Sequence, residues 1–301
     1  MCLWSAVLLG VSSVSPALAV PVPAMDHVVV VIMENHSLSE MRSQPYIASL
    51  IASNAWFASS YGIGYPSQPN YFALFSGSTQ GVTTDACPAF GSPFVTPNLG
   101  FACETQGLTW RSYSENLAYP GATECSFDGD AVTGLYTRKH SPWSYFVNVD
   151  HLNERPYSDL ATDLAADQLP NLAFIVPNNC NNGHNTSDPA CGISTVDAWL
   201  QANVPPILQK LGPRGLLVLT WDEDNHRAGN NVLTVFAGPL VIPGFVSTRS
   251  ITHYTVVRTI ADALGLPPPG QSATEFPITD VWDSNTLARG ATWGRLKILY
   301  R

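Results

Sequence analysis

The chain has 301 residues, of which 45% are hydrophobic and 12% charged, and Asp plus Glu outnumber Lys plus Arg by 23 to 14. That is enough apolar material for one large α/β domain or two small ones. A net charge of −9 argues against nucleic acid as a partner, because a phosphate backbone calls for a basic surface, and the few basic residues are too scattered for an electrostatic membrane anchor.

Residues 3–14 are mostly apolar, and Ala17-Leu18-Ala19 offers a small-x-small cleavage site. The pattern predicts a signal peptide over residues 1–19, although its basic n-region is missing, and a mature chain starting near Val20. The run is too short, and too broken by serines, to favour a membrane anchor, and no later stretch is long enough to span a bilayer. The expected location is therefore extracellular or periplasmic, with no integral membrane contact. Cys2 would leave with the signal, so five of the six cysteines remain. In an exported protein these favour disulfides, and the short local pairings are Cys180–Cys191 and Cys87–Cys103, with Cys125 free or competing.

Residues 27–33, His-Val-Val-Val-Val-Ile-Met, form a continuous β-branched run that reads as a central strand, and it ends in Glu34-Asn35-His36-Ser37. Residues 38–52 suit a helix, and residues 53–64 a strand and loop. In Tyr65-Pro66-Ser67-Gln68-Pro69-Asn70-Tyr71, Ser67 is placed as a helix N-cap, with Pro69 in the first turn. Local sequence favours the plain cap; the functional alternative is a nucleophile, since free N–H groups and the helix dipole favour an anionic substrate there. The two roles can coexist.

Residues 77–107 are rich in Gly, Pro, Ser and Thr and read as a long surface excursion, and residues 108–115 as a strand. Arg138-Lys139-His140-Ser141-Pro142-Trp143 is a basic cluster: a solvated loop, or an anion-binding wall. Leu172-Ala173-Phe174-Ile175-Val176 is another buried strand, followed by an amide-rich turn that contains Asn182, His184 and Asn185. His184 suits a ligand or a proton donor. Residues 194–211 read as a helix starting at a Ser/Thr cap and bent at Pro205-Pro206.

Gly215-Leu216-Leu217-Val218-Leu219 reads as a strand buried on both faces, and it runs into Thr220-Trp221-Asp222-Glu223-Asp224. A solvated acidic turn is the plain alternative. Buried carboxylates need a partner or a cation, and ligands of open α/β sheets sit at the strands' carboxyl ends, so Asp222 and Glu223 read as cation ligands. Residues 232–236 are a further apolar run. Residues 251–264 read as a helix with Val256, Val257, Ile260, Ala263 and Leu264 on one face and His253 and Tyr254 in its first turn. Repeats and an interdomain linker are not evident, so residues 20–301 are expected to form one catalytic domain.

The order Glu34-Asn35-His36-Ser37, Pro66-Ser67-Gln68-Pro69-Asn70-Tyr71, Lys139-His140-Ser141-Pro142-Trp143, Asn181-Asn182-Gly183-His184, Thr220-Trp221-Asp222-Glu223-Asp224 and His253-Tyr254 resembles the secreted phosphoesterases that join acid phosphatases with non-specific phospholipases C. The resemblance covers nearly the whole mature chain. It implies an alkaline-phosphatase-like fold, a three-layer α/β sandwich around a mainly parallel sheet. It also implies a phosphomonoesterase acting through a phosphoserine on a phosphorylated small molecule or lipid. Glu34, Asn35, Asp222 and Glu223 would bind a divalent cation, and oxygen ligands suit Mg, Ca or Mn while an added His admits Zn. Ser67 would be the nucleophile, and Asn70, Lys139, His140 and His184 would meet the phosphoryl or leaving group, with His140 or His184 as proton donor. His253 would sit near metal or phosphate. Relatives commonly carry Asp at the positions of Asn182 and Asn185, which motivates a rival reading as an inactive metal-binding protein. A phospholipase C is the nearer rival, though a large extra C-terminal domain is lacking. A sulfatase is disfavoured, since Ser67-Gln68-Pro69-Asn70-Tyr71 lacks the Arg of C/S-x-P-x-R.

Overall fold

The computed structural model describes residues 21–130, 134–185 and 188–284. The expected signal peptide lies outside the described residues. In chain order the elements are β1 (His27–Met33), α1 (Leu38–Met41), α2 (Pro45–Ser53), β2 (Ala55–Tyr61), α3 (Ser67–Ser76), α4 (Leu99–Gln106), β3 (Trp110–Ser114), β4 (Ser126–Phe127), β5 (Tyr136–Thr137), β6 (Glu154–Pro156), α5 (Ser158–Ala165), β7 (Leu172–Val176), α6 (Ile193–Lys210), β8 (Gly215–Trp221), β9 (Thr234–Ala237), β10 (Val246–Thr252) and α7 (His253–Leu264). None of the described helices is long and apolar enough to cross a membrane.

Eight strands form one sheet in the order β10-β2-β9-β8-β1-β7-β3-β6. Every neighbouring pair is parallel except those of β9, which runs antiparallel to both β2 and β8. β1 lies between β7 and β8 and pairs with both, which is why its sequence is apolar at every position after His27.

The pleat of β1 divides its side chains between two cores. Val28, Val30 and Ile32 join Phe72 and Phe75 of α3, Leu99 of α4 and Val256, Val257 and Ile260 of α7. Val29, Val31 and Met33 join Ile47 and Leu50 of α2, Leu160 and Leu164 of α5 and Val196, Leu200 and Val204 of α6. Helices thus cover both faces in a three-layer α/β sandwich with a mainly parallel sheet.

Several local expectations change. The helix expected from residue 251 begins at His253, because Ile251 and Thr252 extend β10 beside β2. α6 runs through Pro205 and Pro206, and its cap is Gly192 rather than a hydroxyl residue. The 77–107 excursion contains α4, capped by the Asn98 side chain, which accepts from Phe101 N–H at 2.8 Å.

That helix also corrects one disulfide. Cys180–Cys191 forms, but Cys87 pairs with Cys125 rather than Cys103. Cys103 lies on the inner face of α4, within the apolar core, as a free buried thiol. Cys87 and Cys125 are both half-buried. Sequence proximity misled because it ignores the face of an intervening helix. Burial pushes the Cys103 thiol up to about 12. In non-reducing peptide maps we expect Cys87–Cys125 and Cys180–Cys191. Cys103 should resist alkylation in the native protein and react on denaturation; rapid native labelling of Cys103 would contradict its placement.

Candidate active site

The register of the sheet builds the site. Met33 of β1 lies beside Trp221 of β8, so the next residues, Glu34 and Asp222, leave adjacent parallel strands side by side. Both are fully buried. Asn35 adopts a left-handed backbone (φ 56°), and its N–H donates to Asp222 Oδ1 at 3.2 Å. Glu223 is nearly buried, and its Oε2 accepts from Asn70 Nδ2 at 3.0 Å. Asp224 has a different task. Its carboxylate accepts from the N–H groups of His226, Ala228 and Asn230 and from the Tyr65 hydroxyl, and so ties off the 225–230 loop. The ring of His226 stacks on Tyr65.

Ser67 opens α3 but does not cap it. The cap position is Pro66, and no side-chain cap bond is made. The Ser67 hydroxyl instead donates to Glu34 Oε2 at 3.0 Å. Asp85 does what a capping side chain would do, accepting from Gln68 N–H at 2.9 Å. Asn70 is already committed to the protein. Its Oδ1 accepts from Ile63 and Gly64 N–H, and its Nδ2 donates to Gly64 and Pro66 carbonyls as well as to Glu223. It shapes the turn before Ser67.

Lys139 and His140 arrive on a short 3₁₀ turn after β5, both buried. Lys139 Nζ donates to Asp85 Oδ2 at 2.8 Å and to His184 Nε2 at 3.0 Å. His184 Nδ1 is 3.0 Å from Asn185 Oδ1, so Asn185 orients the ring. Asn182 is turned to structural use. Its Oδ1 accepts from His184 N–H at 2.8 Å, and its Nδ2 donates to Pro177 O and Asn179 Oδ1. His140 stacks on Tyr71 and places Nε2 3.2 Å from Glu34 Oε1, off hydrogen-bond geometry. His253 sits one layer out, with Nε2 2.6 Å from the Asp222 carbonyl.

Above these groups is an open pocket of about 740 Å³, lined by Ser67, Asn35, His184, Asp85, Glu223 and the 225–227 segment among others. The sequence model of the phosphoesterase family matches residues 41–267. The chain belongs to the phosphoesterase family. As such it is a hydrolase acting on phosphoric ester bonds. A phosphatidylinositol-3-phosphatase of Mycobacterium tuberculosis is 37% identical over 264 residues, which is 86% of this chain and 84% of that protein. An acid phosphatase of Aspergillus fumigatus is 26% identical over 79% of this chain, but this chain spans only 55% of it. Among solved structures, an alkaline phosphatase superfamily protein from Vibrio parahaemolyticus matches with a TM-score of 0.61 and 10% identity over 86% of this chain and 72% of that one. A murine ectonucleotide pyrophosphatase/phosphodiesterase matches at 0.57 and 11% over 86% of this chain and all of that one (100%). The fold is thus alkaline-phosphatase-like.

In this phosphoesterase the acids lie where ionisation is costly. Burial, and then the charge of Asp222, hold the Glu34 carboxyl well above its usual range. Burial raises Asp222 to about 7, and burial with the Asp222 charge raises Glu223 to about 9. Glu34 Oε1, Asp222 Oδ2 and His140 Nε2 are buried with no hydrogen-bond partner. Two carboxylates and an imidazole with unused lone pairs fit a divalent cation. Glu34, His140 and His184 each offer a ligand atom within 4.8 Å of the others. Within that group Glu34 Oε1 and His140 Nε2 have unused lone pairs, whereas both His184 nitrogens are taken and an ammonium sits on one of them.

The structure thus brings Glu34, Asn35, Ser67, Asp222, Glu223, Lys139, His140 and His184 into one site, with Asn70 and His253 supporting from behind. Sequence reasoning missed Asp85, an acid in a loop without periodicity. It also missed His36 as a pocket residue, whose buried ring places Nδ1 3.5 Å from Glu40 Oε2. The position of His36 between Asn35 and Ser37 was the only signal.

The raised carboxylates have a signed consequence. Asp222 goes from 3.8 to about 7 on folding, so the folded chain keeps a proton that the unfolded chain has released. The Asp222 contribution to stability then falls as pH rises from about 4 to about 7, and Glu223 continues it upward. The buried imidazoles of His36, His140, His184 and His253, whose pKa values are lowered, contribute the opposite sign up to about pH 6.5. A cation that binds only the folded, ionised site offsets the loss. For chelator-treated protein we expect Tm to fall between about pH 7 and pH 9, where the imidazoles no longer titrate in either state and the raised carboxylates still do. Added divalent cation should raise Tm more at the higher pH. A Tm indifferent to Ca, Mg, Mn and Zn at about pH 8 would count against the cation site.

Proposed function

We propose that the protein is an exported, cation-dependent phosphomonoesterase of the acid-phosphatase kind that works through a phosphoserine on Ser67. The observation that carries this reading is the Ser67 hydroxyl. It stands at a helix start, makes no cap, faces the pocket and donates to Glu34. The monoester sense comes from relatives that are phosphatases by name, among them one named for a lipid phosphate. The pocket is far larger than a phosphoryl group, so its remaining volume suits a sizeable leaving group, whether a small organic molecule or a lipid head. Two disulfides suit an oxidising compartment, in line with export.

A cation would be held by Glu34 and Asp222, with Asn35 and Glu223 beside them and His140 as nitrogen donor. When bound it lowers the pKa of the serine hydroxyl and neutralises phosphoryl oxygens. The chain's own residues do the rest. Glu34 takes the hydrogen of Ser67 Oγ and leaves an oxygen lone pair free for phosphorus. Attack forms the Oγ–P bond and breaks the bond from phosphorus to the leaving oxygen, and water later cleaves the phosphoserine. Lys139 supplies positive charge to the phosphoryl oxygens. His184 protonates the leaving oxygen from Nε2 once the Lys139 ammonium, drawn to the phosphoryl oxygens, releases that nitrogen, and His140 remains the cation's nitrogen donor. Burial, and then the Lys139 charge, lower the pKa of both rings, so the acid form is favoured at acid pH or beside a phosphoryl anion.

Ser67→Ala is expected to lose several orders of magnitude in kcat towards p-nitrophenyl phosphate. Ser67 caps nothing, but its hydroxyl is a donor to buried Glu34, so the variant should stay folded at a cost of about 1–3 kcal/mol. Near-normal turnover in Ser67→Ala would remove the phosphoserine route, and diesters hydrolysed faster than monoesters would favour the phospholipase C reading.

A further inference from the structure

Asp85 belongs to none of the motifs that mark the site, yet it makes contacts that suit an incoming phosphoryl group. One oxygen accepts from Gln68 N–H at the start of α3, and the other from Lys139 Nζ. Gln68 follows Ser67 in the chain, and Asp85 lines the same pocket as Ser67. The Lys139 ammonium has three N–H groups; one goes to Asp85 and one to His184, which leaves one. Lys139 is only 7% exposed, so its charge is felt strongly by whatever faces it.

The chain around Asp85 is tied to the chain around Lys139. Cys87, two residues beyond Asp85, is bridged to Cys125. The Cys125 carbonyl accepts from Arg138 N–H at 2.9 Å. Cys125 leads into β4, which pairs antiparallel with β5, and β5 runs directly into Arg138-Lys139-His140. The bridge therefore staples the segment that bears the carboxylate to the hairpin that bears the ammonium.

We propose that Asp85 is a positioning and charge-balancing residue, and that the Cys87–Cys125 bridge keeps it in place. It aims the Lys139 ammonium at the phosphoryl group while limiting how tightly phosphate is held. The proposal rests on the reading that Lys139 meets the phosphoryl group. The effect has a definite sign. A carboxylate beside a bound anion opposes it, so removing that charge tightens phosphate, while loss of the fixed ammonium slows turnover. A purely structural role would weaken phosphate binding and turnover together.

Asp85→Asn tests this, because the amide oxygen can still accept from Gln68 N–H. Inorganic phosphate is titrated calorimetrically into the full chain supplied with divalent cation, and kcat and KM are measured with p-nitrophenyl phosphate. We expect phosphate Kd to fall about tenfold and kcat to fall as well. A Cys87→Ser/Cys125→Ser variant should shift phosphate Kd the same way by less, and should add nothing to Asp85→Asn. Unchanged or weaker phosphate binding in Asp85→Asn overturns the proposal, and additive effects overturn the part given to the disulfide. Lys139→Ala separates the two failures. If it weakens phosphate while Asp85→Asn does not tighten it, the assignment of Asp85 alone falls. If it leaves phosphate binding unchanged, the placement of Lys139 falls and the proposal with it.

Discussion

Pairing of β1 with β8 in parallel register brings two buried carboxylates out of adjacent strands, about 4.8 Å apart at the backbone. Neighbouring like charges at that depth cannot both ionise readily without a cation or several donors, and the Asp222 charge indeed raises Glu34. The surrounding groups answer this constraint. Asn35 supplies a backbone N–H to Asp222, Ser67 supplies its hydroxyl to Glu34, and Asn70 supplies an amide to Glu223. These donors leave one buried oxygen unmet on each of Glu34 and Asp222, and the one on Glu34 lies beside His140 Nε2, which suits a cation. The electrostatic cost and the catalytic potential are therefore one property of the sheet.

The start of α3 shows how a nucleophile is kept available. A serine at a helix start would ordinarily satisfy a backbone N–H with its own oxygen. Here Pro66 takes the cap position, and Asp85, from a distant loop, takes the N–H of Gln68. Ser67 Oγ is thereby released to the pocket with its hydrogen directed at Glu34. Gly183, at φ 103°, serves the same economy of space. A Cβ there would come within 2.8 Å of the His36 ring and 3.0 Å of the Glu34 carbonyl, so only glycine lets the His184 loop close on the site.

Legibility in the sequence followed burial. β1, β7 and β8 carry apolar side chains on both faces, and their runs and polar ends could be read directly. β10 alternates exposed and buried residues without a strong apolar set, and its last residues merged with the pattern of α7. The residues at strand tips were found because a strand pattern announces where it ends. Asp85 was not, since nothing local distinguishes a loop acid that reaches Lys139 from one that meets water. Asn70 was legible as a site position but not in its task, because its partners include backbone carbonyls and N–H groups that sequence does not display. The Cys87–Cys125 bridge failed for a related reason, as it depends on which face of α4 carries Cys103.

The three acids after β8 divide into two kinds of part. Asp222 and Glu223 are held by the sheet and its neighbours, whereas Asp224 holds the loop that follows by its backbone N–H groups. Side chains of the loop add to this hold, since Asn225 donates to Glu40 and His226 stacks on Tyr65, whereas the Arg227 side chain has no such tie among the described residues. Of residues 225–227, which wall the pocket, Arg227 is thus the one whose side chain can vary with least effect on the strand tips that carry the chemistry. Selection, or an engineer, can alter what that wall recognises while the reaction centre keeps its form.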